Sequence, residues 1–365
     1  MIEYKITNYK EIEDYNNYQE YVLGSDIGGT NTNIAVAGIY NNKIDLLFSL
    51  SFKTKKIRSI ITCIIETLEH AKKNNITVKY GCIGAAGIVD NQSFVDITNA
   101  ELRIDAKKIT DKTDIESIFI INDFQAIGYG TNQVDHDDKT KILVIKEGEI
   151  AESDIKTTKS VIGAGTGFGK TILTYNKNMF AYVPISTEGG HVDFPAQNGS
   201  ELRLIEFIKK YRNIKENICY EEILSGRGLE AIYYFLIKEG YSSSDDIYNE
   251  INKSDDKASI ISKYKTKDDA CENTFSLFTK FYGRCAKNFV LDTLSKDGIY
   301  IAGGIASKNI EIFESKIFLE EFENSNLRRD FLRKTPIYLV LDYNISLIGT
   351  CYAAMCRYIK SKDGG

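Results

Sequence analysis

Apolar and polar residues alternate along the first part of the chain in the way that β-strands require. The runs Tyr21–Ser25 and Thr32–Ile39 flank a glycine-rich turn. A third run, Lys43–Phe52, follows a turn formed by Asn41 and Asn42. Turns of this composition between alternating segments predict β-hairpins.

A helical pattern follows these strands. Apolar residues recur at the spacing that places them on one stripe of a helix, namely Ile57, Ile60, Ile61, Ile64, Ile65 and Leu68. The segments 78–89 and 117–123 then have the composition of buried strands. The first part of the chain therefore predicts three strands, a helix and further strands.

The second part of the chain repeats this arrangement. Strand-like runs at 160–175 and 179–186 surround the glycine-rich stretch "GAGTGFG", and helical stretches follow from Glu201. Later strands are predicted at 298–306 and 336–343, and a last helix begins at Ile345. A glycine hairpin at the start of both halves indicates a coarse internal duplication. Each half suits a three-layer α/β domain, and a cleft between two such domains is a usual place for a ligand.

Length, charge and cysteine content narrow the classes of function. The 365 residues suffice for two domains, and 43% of them are hydrophobic, as in ordinary globular proteins. The net charge of −5, with no clustered basic stripe, argues against nucleic acid as a partner. No apolar run reaches the length of a membrane span, and the N-terminus lacks the order of a signal peptide. The scattered cysteines predict free thiols and a cytoplasmic location.

The turn between the first two strands has the composition of a phosphate-binding loop. Gly28 and Gly29 allow the backbone to approach a phosphate closely, and Thr30 and Asn31 add side-chain donors. Asp26, at the end of the preceding strand, suits a hydrated Mg²⁺ beside those phosphates. Alone, the stretch favours an ordinary hairpin turn. The second glycine hairpin favours a pair of loops that hold the phosphates of a nucleotide.

The second glycine-rich stretch, Gly163–Thr171, nearly matches the P-loop pattern G-x-x-x-x-G-K-[ST]. Ala164 stands where the first glycine of that pattern belongs. A P-loop must be followed directly by a helix, which directs N–H groups at the phosphates. Here β-branched and aromatic residues follow, with a turn at 176–178, so the context predicts a hairpin and excludes a P-loop. The same context and the glycine spacing exclude a dinucleotide-dependent dehydrogenase.

Two further stretches place polar groups where chemistry is expected. An apolar strand ends in Asn122 and Asp123, and a carboxylate at that end of a strand is suited to accept a proton. A helix cap explains the same pair equally well. Glu188 and His191 have the E-x-x-H spacing of some metal sites, but Gly189-Gly190 between them is incompatible with the helix that such ligands need. Hydrogen bonding to a polyhydroxylated substrate suits them better.

In this order the motifs resemble those of the bacterial-type glucokinases, a group within the hexokinase–actin–Hsp70 superfamily. The resemblance covers most of the chain and extends to "INDFQAIGYG", "TEGGHVDF", "YEEILSGRGL" and "GIYIAGGI". It implies an α/β fold of two actin-like (ribonuclease H-like) domains that flank a cleft. We expect an N-terminal extension at 1–20, a small α/β domain at 21–122 completed by the C-terminal helix 345–362, and a large α/β domain at 123–344. The related ROK group has a cysteine-rich zinc motif after E-G-G-H, and its absence here predicts no structural zinc.

The resemblance also implies an activity and a set of site residues. The activity is ATP-dependent phosphorylation of D-glucose at the 6-hydroxyl, a glycolytic reaction, with Mg²⁺ as cofactor and Asp123 as the general base. The implied sugar-binding residues are Asn99, Asn122, Asp123, Glu188, His191 and Glu221. The implied nucleotide-binding residues are Asp26, Gly28, Gly29, Thr30, Asn31, Gly165, Thr166, Gly167, Gly303 and Gly304. Asp26 would hold the Mg²⁺ through water.

The sequence leaves several alternatives open. Another hexose or an amino sugar could be the substrate, the donor could differ from ATP, and a sugar-sensing protein without activity could share the fold. The retained Asp123 and both glycine hairpins argue against the sensor. Leu102 stands where the family usually has tryptophan, and Lys170 adds a charge after the second hairpin. The oligomeric state, a homodimer included, is not encoded in a recognisable pattern.

Overall fold

The computed structural model describes residues 2–97, 102–148 and 156–358. The chain forms two compact units. The first contains residues up to Asp138, the segment Leu173–Ser186 and residues from Asp342 onward. The second contains Lys139–Ile172 and Thr187–Leu341. Both units combine strands and helices, which confirms the α/β class expected from the sequence.

Strands and helices are numbered separately in chain order. The strands are β1 (Tyr4–Asn8), β2 (Glu20–Ile27), β3 (Asn31–Tyr40), β4 (Lys43–Lys53), β5 (Tyr80–Ala85), β6 (Val89–Asp90), β7 (Phe94–Asp96), β8 (Arg103–Asp105), β9 (Ser117–Asn122), β10 (Ile142–Lys146), β11 (Thr158–Ala164), β12 (Phe168–Asn176), β13 (Ala181–Ile185), β14 (Ile299–Ala302) and β15 (Ile337–Val340). The α-helices are α1 (Ile60–Lys73), α2 (Ala106–Thr110), α3 (Asp123–Gly130), α4 (Gly199–Arg212), α5 (Gly226–Lys238), α6 (Asp245–Lys253), α7 (Lys257–Tyr264), α8 (Asp269–Thr293), α9 (Gly304–Lys308), α10 (Ile310–Glu314), α11 (Lys316–Glu323), α12 (Arg329–Lys334) and α13 (Ile345–Tyr358). Short 3₁₀ turns lie at Ile12–Asn16, Thr54–Lys56, Gly189–His191 and Tyr220–Glu222.

Five strands of each large sheet follow the same order. The first sheet runs β1-β4-β3-β2-β5-β9, with β2, β3 and β4 antiparallel and with β5 parallel to both β2 and β9. The second runs β10-β15-β14-β11-β12-β13, with β14 parallel to β11 and β15. The series β4-β3-β2-β5-β9 therefore corresponds to β13-β12-β11-β14-β15, which confirms the internal duplication expected from the glycine hairpins. The chain passes from the second unit into the first within β12.

Residues 1–20, expected to be an extension, include a strand of the first sheet and part of the core of that unit. β1 pairs antiparallel with β4. Tyr15 is fully buried, and its hydroxyl donates to the Leu47 carbonyl oxygen at 3.2 Å. The Tyr18 ring covers Gly38 so closely that a Cβ there would lie 2.2 Å from a ring carbon. Aromatic side chains thus anchor this segment on the sheet.

Helix α1 confirms the predicted apolar stripe with two exceptions. The helix begins at Ile60, so Ile57 precedes it. Ile65 is 36% exposed, because one residue beyond Ile64 the helix has turned by about 100° and faces solvent. The buried positions instead include the small residues Cys63, Thr67 and Ala71.

The last helix, α13, packs closely on the first sheet and on α3. A Cβ at Gly349 would lie 1.7 Å from the Ala126 carbonyl oxygen, so only glycine fits at this crossing. On the sheet side, a Cβ at Gly24 would lie 2.4 Å from Cys351 Sγ. Within the described residues, no helix is both long and apolar enough to cross a lipid bilayer.

Candidate active site

The first glycine hairpin forms the tip between β2 and β3. The Gly28 N–H closes it by donating to the Asn31 carbonyl oxygen at 3.0 Å. Behind the tip, the Thr54 hydroxyl donates to the Gly28 carbonyl oxygen at 2.7 Å, and the Thr54 N–H donates to the Thr30 carbonyl oxygen at 3.0 Å. Gly29 and Thr30 are exposed. The turn is therefore held from behind while the backbone at its tip is accessible to a ligand.

A lysine that the sequence analysis missed lies beside this hairpin. Lys53, the last residue of β4, is opposite Asn31 in the antiparallel register, and its Nζ donates to Asn31 Oδ1 at 3.0 Å. The side chain is exposed, so its ammonium group places a positive charge next to the tip. No motif indicates Lys53, because only the pairing of β3 with β4 brings it near the glycines.

Asp26 lies in β2 opposite Asn33 and is only partly exposed. Burial raises the pKa of Asp26 above its ordinary value, and the nearby Ser346 hydroxyl partly opposes that rise. No basic side chain of the described residues contributes to this shift of the Asp26 pKa. A largely buried carboxylate without a cationic neighbour is the type of group that a divalent ion stabilises.

Asp26→Asn is expected to stabilise the ligand-free protein at pH 7. The amide keeps the size of the side chain, but it removes a buried charge. We expect the Tm to rise by about 2–4 °C, the shift that roughly 1 kcal/mol gives in a domain of 150–250 residues. Because the folded pKa is raised, ionisation destabilises the fold only as pH rises, so the gain should vanish in acid, where the wild-type carboxyl is protonated. Thermal unfolding followed by circular dichroism between pH 4 and 8 measures both effects.

The matched control for this prediction is Asp111→Asn, at an exposed carboxylate of the same unit. That substitution should leave the Tm within the error of the measurement, since exposed changes have little effect on stability. A Tm of Asp26→Asn equal to that of the wild type at pH 7 would contradict the stated origin of the raised pKa.

The strand β9 ends in Asn122, and α3 begins at Asp123. Asn122 Oδ1 accepts from the Phe124 N–H at 2.9 Å, and the Gln125 side chain accepts from the Asn122 N–H at 3.1 Å. Asn122 also donates to the Gly87 carbonyl oxygen at 3.3 Å. The helix cap is thus confirmed for Asn122, and the cap places the Asp123 carboxylate at the start of α3, where the helix dipole favours negative charge.

The strand register brings the groups of the first unit to one edge of the sheet. Ile27, Ala85 and Asn122 are in register across the adjacent parallel strands β2, β5 and β9. Asp26, the first glycine hairpin and Asp123 therefore lie next to the carboxyl ends of these strands. This edge is the usual ligand-binding edge of an α/β sheet.

The second glycine hairpin lies between β11 and β12, and its tip is Gly165–Gly167. No helix follows it, which confirms that it is not a P-loop. The Gly165 N–H donates to the Gly167 carbonyl oxygen at 2.8 Å. Thr166 is exposed, and no atom lies within 4 Å of the place a Cβ would take at Gly165. The backbone of this tip is therefore also accessible to a ligand.

The turn Glu188–His191 is packed directly on β12. A Cβ at Gly190 would lie 1.8 Å from the Phe168 carbonyl oxygen, so only glycine allows this approach. Glu188 Oε2 and His191 Nε2 lie 3.7 Å apart, and about half of each side chain is exposed. An acceptor and a ring nitrogen are thus presented together to solvent, as hydrogen bonding to a hydroxylated ligand requires.

Lys170 is buried beneath this turn. Its Nζ lies 4.2 Å from the centroid of the Tyr220 ring and 5.3 Å from that of Phe289. Its carbonyl oxygen accepts from the Thr187 hydroxyl at 2.7 Å, and its Cδ would lie 2.9 Å from a Cβ at Gly189. The Lys170 ammonium group therefore lies against aromatic rings in the core, where cation–π attraction stabilises it. Lys170 supports the turn instead of extending the glycine hairpin.

Glu221 lies in the 3₁₀ turn Tyr220–Glu222. Its Oε2 accepts from the Phe168 N–H at 2.9 Å, and its Oε1 accepts from Arg227 Nη2 at 2.5 Å. Each carboxylate oxygen keeps a second lone pair for a further donor. Arg227 had no recognisable signal in the sequence, because its spacing to Glu221 has meaning only once the turn and α5 are formed.

The last implied nucleotide residues lie where β14 leads into α9, since Gly303 joins the two elements and Gly304 begins the helix. Gly303 has a φ of +96°, and a Cβ there would lie 2.5 Å from the Ala164 carbonyl oxygen. Gly303 therefore allows β14 and β11 to approach closely. No atom lies within 4 Å of the place of a Cβ at Gly304, which leaves its backbone open on that side.

Asn99 and Leu102 are the remaining positions that the sequence singled out. Asn99 lies outside the described residues. Leu102 is buried, with 4% of its surface exposed, and packs in the apolar core of the first unit. In the part of the chain that the structure describes, no group of three or more His, Cys, Asp and Glu side chains is arranged to hold a metal ion.

Comparison with known proteins agrees with these motifs. A family profile described as glucokinase matches residues 23–356. The glucokinase of Nostoc punctiforme is 29% identical over 350 residues, which cover 92% of this chain and 98% of that protein.

Solved structures show the same fold. The glucokinase of Balamuthia mandrillaris, solved in complex with glucose, aligns with a TM-score of 0.73 and 23% identity over 93% of this chain and 95% of that one. A ROK family glucokinase from Streptomyces griseus, solved with glucose and AMPPNP, aligns with a TM-score of 0.58 and 17% identity over 92% and 99%. Because the family profile extends over nearly the whole described chain, this protein belongs to the glucokinase family.

Proposed function

We propose that this chain transfers the terminal phosphoryl group of ATP to the 6-hydroxyl of D-glucose, giving glucose 6-phosphate and ADP. The observation that carries this proposal is the family match over residues 23–356, which includes both glycine hairpins, the turn Glu188–His191 and Asp123. The glucose bound to the B. mandrillaris protein supports the choice of sugar. The ATP analogue AMPPNP bound to the S. griseus protein supports the choice of donor.

In this proposal Asp123 is the general base. Its carboxylate accepts the proton of the 6-hydroxyl as that oxygen bonds to the γ-phosphorus and the bond to the β-phosphate oxygen breaks. The cap formed by Asn122 supports the role, because it fixes the backbone at the start of α3. The remaining sugar hydroxyls are assigned to Asn99, Asn122, Glu188, His191 and Glu221.

The glycine hairpins are assigned to the phosphates of the nucleotide. The Gly28 and Gly165 N–H groups close the two hairpins, so other backbone N–H groups of Gly28–Asn31 and Gly165–Gly167 are the proposed donors. Lys53 adds a positive charge beside the first tip. Gly303 and Gly304 are assigned to the adenosine. Asp26 is the residue that would hold Mg²⁺, through water, and its largely buried, cation-free carboxylate fits that ion. Mg²⁺, when bound, neutralises the charge of the β- and γ-phosphates.

We further propose a cytoplasmic location. All seven cysteines are free thiols, and six of them are buried. Free thiols are typical of a reducing compartment. Fractionation of cells that produce the native protein tests this placement.

The first test is ADP release coupled to NADH oxidation, with ATP and Mg²⁺ present. Glucose, mannose, fructose, glucosamine, N-acetylglucosamine and N-acetylmannosamine are compared at equal concentrations. We expect glucose to give the highest kcat/KM. If another sugar gives a higher kcat/KM than glucose, that sugar is the preferred substrate. Binding of glucose by calorimetry without turnover of any sugar would favour a sugar sensor over an enzyme.

A further inference from the structure

The segment that contains Glu221 contacts the second glycine hairpin from two sides. The Gly226 N–H donates to the Gly165 carbonyl oxygen at 2.9 Å. The Phe168 N–H, just after the tip, donates to Glu221 Oε2 at 2.9 Å. Between these two bonds, a Cβ at Gly167 would lie 2.5 Å from the same carboxylate oxygen, so the tip lies directly against Glu221. The position of the hairpin therefore depends on the position of the Glu221 carboxylate.

Arg227 determines where that carboxylate lies. Its Nη2 bonds Glu221 Oε1 at 2.5 Å and lies 3.1 Å from Glu222 Oε1. Glu222 is in turn bonded by Arg212 Nη1 at 2.9 Å, so the Arg227 guanidinium is itself anchored. The Ser225 hydroxyl donates to the Glu221 carbonyl oxygen at 2.7 Å and fixes the backbone of the same residue. Bonds to an ionised guanidinium are stronger and more directional than neutral ones.

We propose that Arg227 is a positioning residue for the Glu221 carboxylate. Glu221 then contacts both the sugar and the phosphate-binding hairpin, so that sugar and nucleotide bind with positive coupling. The inference rests on the proposed function, which assigns a sugar hydroxyl to Glu221 and phosphates to Gly165–Gly167. A sugar that donates to Glu221 restricts the carboxylate and, through Phe168, the hairpin. The nucleotide then loses less conformational freedom on binding, and by linkage it favours the sugar by the same factor.

Arg227→Met tests this proposal because it keeps an unbranched apolar stem and removes the guanidinium. The dissociation constant of ADP is measured by calorimetry with and without saturating glucose. For the wild type we expect glucose to tighten ADP binding by at least about fivefold, the lower end of common coupling factors. In Arg227→Met the factor should fall close to one, and glucose binding should weaken by roughly tenfold, as for the loss of one charge-assisted contact of about 1.4 kcal/mol.

A second readout needs no ligand. Amide hydrogen exchange at Phe168 and Gly226 should be faster in Arg227→Met than in the wild type, because both amides lie in the contact between the hairpin and this segment. Arg203→Met is the matched control, since Arg203 is an exposed arginine of the same unit that pairs with Glu239. It should change neither the exchange nor the coupling. Arg227→Lys, which keeps one charged donor, should fall between wild type and Arg227→Met, and it takes over the test if the methionine variant does not fold.

The outcomes separate this inference from the proposed function. A wild type that phosphorylates sugar while Arg227→Met keeps both the wild-type coupling factor and the wild-type exchange overturns the coupling alone. Faster exchange in Arg227→Met with an unchanged coupling factor overturns it as well. A wild type that binds ADP but none of the sugars overturns the proposed function and, with it, the coupling.

Discussion

Asp123→Ala is expected to reduce turnover of glucose by about 10²–10⁴-fold, the usual contribution of a general base. Without the carboxylate, no group at the start of α3 accepts the proton of the sugar hydroxyl as the bond to phosphorus forms. The loss should appear in kcat and kcat/KM alike, because the interaction is made in the transition state. The coupled ADP assay measures it, and calorimetry should show glucose affinity within about tenfold of wild type.

The cap at the start of α3 supplies a sharper variant of this test. Asp123 Oδ1 also accepts from the Phe124 N–H at 2.9 Å. Asp123→Asn keeps that acceptor and the length of the side chain but cannot take a proton at neutral pH. It should therefore be nearly as inactive as Asp123→Ala while unfolding at the wild-type temperature. Asp135→Ala, at an exposed carboxylate of the same unit, should retain full turnover. If Asp123→Asn keeps more than about a tenth of the wild-type kcat, Asp123 is not the base.

Much of the fold could be predicted from the sequence, because hydrophobic periodicity reflects which face of an element is buried. Most strands, the hairpin after Gly163–Gly169 and α1 were predicted on this basis and are confirmed. The strands β1, β7, β8 and β10 were not predicted, and the run predicted at 298–306 ends at Ala302, with α9 beginning at Gly304. The prediction was less accurate at two positions, because Ile57 is buried but precedes the helix, and Ile65 lies on its exposed side. The packing of residues 1–20 on the first sheet was not predicted. Buried aromatic residues such as Tyr15 attach them to the sheet, and such long-range contacts leave no periodic signal.

The residues of the candidate site likewise include some that the sequence predicted and others that it did not. Glycine-rich stretches were recognisable because turns and close backbone approach restrict the residue type, and Gly190 and Gly303 are two such close approaches. Charged residues that act through tertiary contacts were not. Lys53 reaches the first hairpin only through strand pairing, and Arg227 reaches Glu221 only once its turn and helix have formed. Lys170 carried a visible charge, but its location among aromatic rings depends on α8 and on the turn that contains Tyr220.

A buried ion network supports the segment that follows the turn Glu188–His191. Arg284, on α8, is fully buried, and its two terminal nitrogens donate to the Glu201 carboxylate at 2.7 and 2.9 Å. Its Nε donates to Glu321 Oε1 at 3.1 Å, and its Nη1 also donates to the Pro195 carbonyl oxygen at 3.1 Å. One guanidinium thus joins α4, α8 and α11 to the backbone after the turn Glu188–His191.

Arg284→Met is expected to lower the free energy of unfolding by about 3–5 kcal/mol at pH 7, the usual effect of removing one partner of a buried ion pair. Methionine fills most of the volume, so the loss comes mainly from Glu201, which remains buried with 4% of its surface exposed and without its main counterion. Urea unfolding at pH 7 measures this difference. Arg333→Met, at an exposed arginine that pairs with Glu323, should lose no more than about 1 kcal/mol.

The effect of Arg284→Met should also depend on pH. Burial alone would raise the pKa of Glu201, but the hydrogen bonds from Arg284 and from the Gln197 N–H hold it below its ordinary value of 4.5. The pair therefore contributes stability that is present above about pH 4.5 and is lost as pH falls through the folded pKa. In Arg284→Met protonation removes the charge of the unpaired carboxyl, so the difference in unfolding free energy from wild type should shrink in acid.

Adding Glu201→Gln to Arg284→Met should restore part of the stability at pH 7, since it removes the uncompensated charge. A loss that is independent of pH and unaffected by Glu201→Gln would assign the effect to packing of the arginine stem instead of to its charge.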